Sequence, residues 1–274
     1  MGKEVYAGAV GEFRTASTAG GGTALTTTAT YIAVPDGTHH IFLTPRNFAT
    51  AVVAKVAFNP YLHVLKSTDA GVTFTDYSKY AQDGSASTDV DLDSLDTLLN
   101  GDFILVGAEL PFRGVYVDVD DTHPNGTAST LSVFYWKDDT VDAWADASAT
   151  DGTDSGGATI ATDGLVYWTV PTDWIRAKLC DIYTSMPKNS ITNTPYYWTR
   201  WSVSAALDSD TLVDGMLAAN RDTSHYGELM EGQPFEQRFS KGVNGLGCVE
   251  ALTNAGTGNL IVNVAAANDE GRLF

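Results

Sequence analysis

Alternation with a period of two dominates the middle of the chain. Val115, Val117 and Val119 alternate with Tyr116, Asp118 and Asp120; Leu131, Val133 and Tyr135 alternate with Ser132, Phe134 and Trp136. Tyr197, Thr199, Trp201, Val203 and Ala205 alternate in the same way with Trp198, Arg200, Ser202 and Ser204. Successive side chains of a strand point to opposite faces, so each segment predicts a strand with one face in a core. Residues 103–107 and 165–170 add strands, and the polar run 150–157 with Asp163-Gly164 supplies reversals. Many short strands joined by such turns predict a β-sandwich or jelly roll over residues 101–213.

Similar runs flank this centre. Residues 31–34 and 40–43, around Pro35-Asp36-Gly37, read as a hairpin; residues 51–58 and 61–66 repeat the scheme around Asn59-Pro60. Residues 245–252 and 259–264 predict a terminal hairpin that joins the N-terminal strands in one sheet. The helix signal is confined to residues 93–99, where Asp93 or Ser94 caps a segment stopped by Asn100-Gly101. The chain is expected to be all-β, a central β-sandwich or jelly roll plus a second β layer built from N-terminal strands and a C-terminal hairpin. Four segments follow: an arm over 1–30, a β region over 31–100, the sandwich over 101–213, and a contact loop with the hairpin over 214–274.

Two stretches break the pattern. Residues 15–30 are nearly all Thr, Ala, Gly and Ser around Gly20-Gly21-Gly22, with too little apolar bulk for a core, and predict a flexible or surface-laid arm. Residues 217–242 mix charges, Gly and Pro without a sustained period, as long excursions that serve contacts do. Isolated large side chains stand in residues 1–30, namely Tyr6, Phe13 and Arg14, and in the second stretch, namely Tyr226, Leu229, Met230, Phe235 and Phe239. Residues 1–30 and 217–243 are therefore expected to order against a neighbour and to be mobile in the isolated chain.

Charge narrows the partners. Thirty-four acidic residues against 16 basic ones give a net charge of -18, which repels phosphate and argues against nucleic acid. No apolar run approaches the ~18 residues of a membrane helix, and Met1-Gly2-Lys3-Glu4 has no apolar segment behind it, so neither a membrane nor an export signal is expected. Gly2 followed by Tyr6 does not fit the myristoylation pattern. Cys180 and Cys248 stand alone in apolar or Gly-rich surroundings and are expected to be buried free thiols, with no disulfide and no zinc.

Candidate chemistry is sparse. Asp118, Asp120 and Asp121 beside Asn125 offer the hard oxygen ligands that calcium takes, but the strand alternation puts Asp118 and Asp120 on a solvent face, where an acidic edge discourages strand pairing. Asp151 and Asp154 sit in a turn-forming loop. Among 34 carboxylates chance pairs abound, and none stands out as a glycosidase pair. His39 and His40 point to opposite faces of a strand, and His63, His123 and His225 form no chelating spacing. No nucleophile elbow or phosphate loop occurs. Trp136, Trp144, Trp168, Trp174, Trp198 and Trp201 could stack on sugar rings if exposed, but core and corner packing is the favoured reading, with Trp201 on the core face. No catalytic, cofactor-binding or metal-binding residue is expected, and the chain is not expected to be an enzyme.

One resemblance adds context. Pro111-Phe112-Arg113-Gly114-Val115-Tyr116-Val117-Asp118, then Leu131-Ser132-Val133-Phe134-Tyr135-Trp136, Trp144, Thr150-Asp151-Gly152-Thr153, Asp163-Gly164, Trp168-Thr169-Val170-Pro171-Thr172-Asp173-Trp174 and Tyr197-Trp198-Thr199-Arg200-Trp201-Ser202-Val203-Ser204 resemble a β-sandwich module of tailed-bacteriophage virion proteins. The likeness covers residues 103–213 and carries no catalytic residues. It implies a structural component of a phage particle, with a capsid decoration or auxiliary head protein ranked first. A tail, neck or baseplate protein, or a carbohydrate-binding adsorption module, is the alternative. The implied partners are other virion proteins, such as a major capsid or tail protein, and copies of itself as a homo-oligomer. The implied location is the virion, assembled in the host cytoplasm.

Overall fold

The computed structural model describes residues 13–15, 21–35, 37–137, 144–220, 226–238 and 245–266. Strands make up 47 % and helix 4 %, in four antiparallel sheets, so the protein is all-β. The chain divides into two units, Met1–Asn59 with Asp222–Phe274, and Pro60–Arg221.

Unit 1 takes β1 (Phe13–Thr15), β2 (Thr23–Leu25), β3 (Thr30–Ala33), β4 (Thr38–Arg46) and β5 (Val53–Pro60) from the front of the chain. Unit 2 holds β6 (His63–Thr68), β7 (Thr75–Asp76), β8 (Val90–Asp91), β9 (Asp102–Ala108), β10 (Gly114–Val119), β11 (Leu131–Trp136) and β12 (Trp144–Asp146). It continues through β13 (Thr150–Asp151), β14 (Gly164–Tyr167), β15 (Arg176–Ala177), the one-turn helix α1 (Leu179–Ile182), β16 (Tyr196–Val203) and β17 (Leu212–Ala219). Unit 1 closes with β18 (Gly227–Met230), β19 (Phe235–Arg238), β20 (Leu246–Thr253) and β21 (Gly258–Ala266).

In unit 1, sheet I runs β1-β21-β4-β19 with β2 also on β21, and sheet II runs β18-β5-β20-β3. Ile41, Leu43, Leu260, Val262 and Val264 from sheet I meet Ile32, Val56, Val249 and Ala251 from sheet II in one core, as the two-residue period requires. The three expected hairpins do not form. β3 lies in sheet II and β4 in sheet I, β20 in sheet II and β21 in sheet I, and β5 and β6 belong to different units. The four-residue links after β3 and β20 cross between sheets instead of returning beside the preceding strand, and the short link Tyr61-Leu62 after β5 leads into the other unit. β21 does pair with β1, β2 and β4, so the chain's two ends share sheet I.

Parts of the two irregular stretches are structured. Phe13–Thr15 and Thr23–Leu25 pair with β21, and Leu25 is fully buried in the core. Apolar bulk missing from the arm is supplied by the sheet it joins. β18 and β19 edge sheets II and I, with Leu229 buried, Phe235 packed against the core, and Met230 exposed. The expected anchors Tyr6 and Phe239 lie outside the described residues, as do the side chains of Phe13 and Arg14.

In unit 2, sheet III runs β13-β14-β10-β17-β8 and sheet IV runs β12-β11-β16-β9-β6-β7, with β15 on β16. Val115, Val117, Val166 and Met216 of sheet III face Ile104, Val106, Val133 and Trp201 of sheet IV across the larger core. Trp201 sits there fully buried and donates its Nε1–H to the Thr199 hydroxyl at 3.0 Å. A boundary at residue 100 cuts through this unit, because β6 pairs along the length of β9 from His63 opposite Gly107 to Thr68 opposite Asp102. The expected helix over 93–99 is absent: Ser94 has φ 49° and only a 3-10 turn at Leu98–Asn100 remains. Sheet IV has apolar side chains on both faces. Leu65, Phe103, Leu105, Tyr196 and Trp198 form a second core on its outer side under Leu179, Met186, Tyr183 and Ile191, so β9 is buried along its whole length.

Candidate functional site

A group of carboxylates in unit 2 is gathered by a defect in strand pairing. β10 and β17 run in register from Gly114 opposite Ala219 to Asp118 opposite Gly215, then slip so that Val119 faces Val213. Asp214 is the extra residue, and a β-bulge of this kind re-aims a side chain. β17 also pairs with β8, placing Val213 opposite Val90 and Asp89 beside the bulge. The carboxylates of Asp89, Asp120 and Asp214 offer oxygens within 4.8 Å of one another, all three residues half-buried.

Asp214 and Asp120 of this group, and Asp118 beside them, are shifted in different directions. Burial, followed by the charges of Asp120 and Asp118 and a contact with Asp89, pushes the Asp214 carboxyl up to about 6. Burial together with Asp163 and Asp121 raises Asp118. Asp120 goes the other way, down to about 2, because the Thr122 hydroxyl and the backbone N–H groups of Thr122 and His123 donate to it at 2.6, 2.7 and 2.8 Å. Oδ1 of Asp89 and Oδ1 of Asp214 are sealed from solvent without a hydrogen-bond partner. As ligands, three carboxylates leave part of calcium's shell of about 6–8 oxygens to water.

The residues singled out from the sequence scatter around this point. Asp120 belongs to the group, Asp118 stands beside it half-buried rather than on an open solvent face, and Asp121 is exposed. Asn125 is buried elsewhere, donating to Thr159 O at 2.8 Å and Thr127 O at 3.0 Å while accepting from Thr127 N at 3.0 Å. Asp151 braces its turn through Thr153 N at 2.8 Å and the Thr159 hydroxyl at 2.5 Å, and Asp154 is exposed. His40 pairs with Glu236 at 2.6 Å; His225 and the side chain of His39 lie outside the described residues. Thr122, His123 and Asp120 form a compact trio, yet hydroxyl and carboxylate both address the same His123 Nδ1, at 2.7 and 3.0 Å. A proton relay divides the two ring nitrogens between nucleophile and acid, so this trio is a turn. Asp89 and Asp214 were missed, although a signal existed: Val213, Met216 and Ala218 share a core face only if parity changes between 213 and 216.

None of the six tryptophans offers an open platform. Trp136, Trp168, Trp174, Trp198 and Trp201 are buried, and Trp144 is half-buried against Trp136 at 5.2 Å between ring centres.

In unit 1, Glu250 is fully buried on the face of sheet II away from the core. Asn59 Nδ2 donates to its Oε2 at 2.8 Å and the Tyr226 hydroxyl donates to its Oε1. Burial and the Glu250 charge raise the neighbouring Cys248 thiol, which disfavours its thiolate; Cys180 in unit 2 is also buried, and neither cysteine is in a disulfide. Neither the family models nor the curated proteins compared with this chain match it. The meaning of its sites therefore rests on their chemistry.

Proposed function

We propose that this chain is a non-enzymatic structural component of a bacteriophage particle, in first place a capsid decoration or auxiliary head protein. The observation that supports the reading best is the use made of its large and charged side chains. Its tryptophans pack against cores, and Asp69, Asp120, Asp151 and Asp208 brace turns with hydroxyls and backbone N–H groups. Among the described residues, the cavity of unit 2 is a void within its core, lined by apolar groups including Leu92, Leu95, Val117, Trp201 and Met216. Enzymes need a concave, partly polar site, whereas a building block needs rigid units. The net charge of -18 keeps such a block from adsorbing to DNA. With its tryptophans packed away, a carbohydrate module loses the side chains that suggested it.

Antibodies raised against the chain and used for immunogold microscopy on purified particles test the reading. Label on the head at regular copy number is the expected result; label on the tail, neck or baseplate selects the second station. Absence of the chain from washed particles overturns the proposal.

A further inference from the structure

The strands β1 and β2 lie one after the other along β21, with Phe13 to Thr15 opposite Ala265 to Asn263 and Thr23 to Leu25 opposite Leu260 to Gly258. Leu25 is fully buried in the core of unit 1, and the Thr253 N–H donates to the Thr26 carbonyl at 2.7 Å. The chain up to Thr26 is therefore seated by β20 and β21, both of which come from the far end of the sequence. Thr27, Thr28 and Ala29 then carry it from sheet I to β3 in sheet II.

This link is short and works against its own preference. Thr27 and Thr28 are exposed and bent, with the Thr28 N–H donating to the Thr26 hydroxyl at 3.1 Å, one of the weaker turn-forming bonds. Three β-branched residues in a row, Thr26 to Thr28, favour extended backbone instead. Straightened, they would join β2 and β3 into one strand. A short link under such tension is where copies of a protein exchange an element. Charge agrees with exchange of this element: residues 1–26 hold Lys3 and Arg14 against Glu4 and Glu12, a net of zero in a chain at -18. The segment can thus approach a second copy that repels the chain as a whole.

We infer that the N-terminal segment is exchanged between two copies of this chain, residues up to Thr26 of each lying along β21 of the other, with Leu25 in the other's core and Thr27–Ala29 straightened. The contacts with β21 are the same in the closed and exchanged forms, so the link and the protein concentration set the balance. The inference needs no place in a particle and is read on the isolated protein.

The test uses Ala24 and Asn259, which face each other across the ladder, Ala24 exposed and Asn259 half-buried, as a disulfide between the strands requires. Ala24→Cys and Asn259→Cys are made in separate full chains, unfolded with reductant, refolded together at low and at high concentration, and then oxidised. Wild type, whose Cys180 and Cys248 are buried, sets the background. The expected product is a disulfide-linked dimer of one chain of each kind, which increases with concentration and exceeds the dimers of either variant with itself. Insertion of Gly-Ser-Gly between Thr27 and Thr28 gives the link slack and should lower the yield severalfold. If Ala24→Cys/Asn259→Cys in one chain closes internally while the mixture gives no linked dimer at either concentration, the inference is overturned. Like-with-like dimers in equal yield, or a yield that the insertion leaves unchanged, overturn it as well. Should a variant fail to fold or the double variant fail to close, sedimentation of refolded wild type decides: a dimer that grows with refolding concentration supports exchange, and monomer alone overturns it.

Discussion

At the level of single residues, Asp214 carries a testable liability. Its carboxyl titrates at about 6 in the fold against about 3.9 in an unfolded chain. Between those values the folded state holds the proton that the unfolded state has lost, so stability falls as pH rises from about 4 to about 6 and the deficit persists above. Asp214→Asn should therefore raise the melting temperature at pH 7 and leave it nearly unchanged at pH 4, by thermal unfolding at both values. An equal gain at both would place the effect outside titration. Asp120, held near 2 by its donors, contributes in the opposite sense: its stabilisation is present above about 4 and disappears as pH falls through 2. The sequence showed Asp118 and Asp120 as neighbours on one strand face, but the meeting of Asp120 with Asp89 and Asp214 depends on a bulge and on β8 docking beside β17. The bulge leaves only the parity change between Val213 and Met216 in the sequence, and the docking of β8 leaves no local signal.

At the level of elements, β9 shows what a strand buried on both faces demands. Gly107 lies beneath the Trp198 indole, and a Cβ placed there would stand 2.2 Å from Cε3 of that ring. Gly107→Ala should cost about 1–3 kcal/mol by forcing the ring or the strand to move, read from urea unfolding with tryptophan fluorescence; a neutral result would mean that the cover over Trp198 is loose. The strands themselves were largely legible. Val115, Val117, Val133 and Trp201 face the core that their alternation indicated. Their partners were not, since Pro35-Asp36-Gly37 marks a reversal without fixing whether the returning strand stays in its sheet. The second face of β16 was hidden for a related reason: Trp198 and Arg200 alternate with core residues, and the cover over them comes from α1 and the residues after it, far from any periodic signal. Each sheet path in the described residues ends on a strand of two to four residues, a length that discourages uncontrolled edge pairing.

For the whole molecule, the division at Asn59 and Arg221 means that unit 2 is one continuous stretch while unit 1 needs both flanks. Pro60–Arg221 expressed alone should fold, giving a cooperative melt, a β-type circular dichroism spectrum and the buried-tryptophan emission of the full chain. A featureless melt would show that its sandwich depends on the rest. The flanks expressed separately should remain unstructured until mixed, because β21 supplies the partner for β1, β2 and β4.

Insertion of one unit within another also sets a timetable on the ribosome. Residues through 221 emerge before β18–β21 exist, so unit 2 can close while β4 and β5 still lack β20 and β21. At about 5–20 residues per second, synthesis of Asp222–Phe274 keeps them waiting roughly 3–10 s, with Ile41, Leu43, Ala54 and Val56 uncovered. Nascent chains at this stage are the form that a chaperone should hold, and the form most prone to pair with another copy.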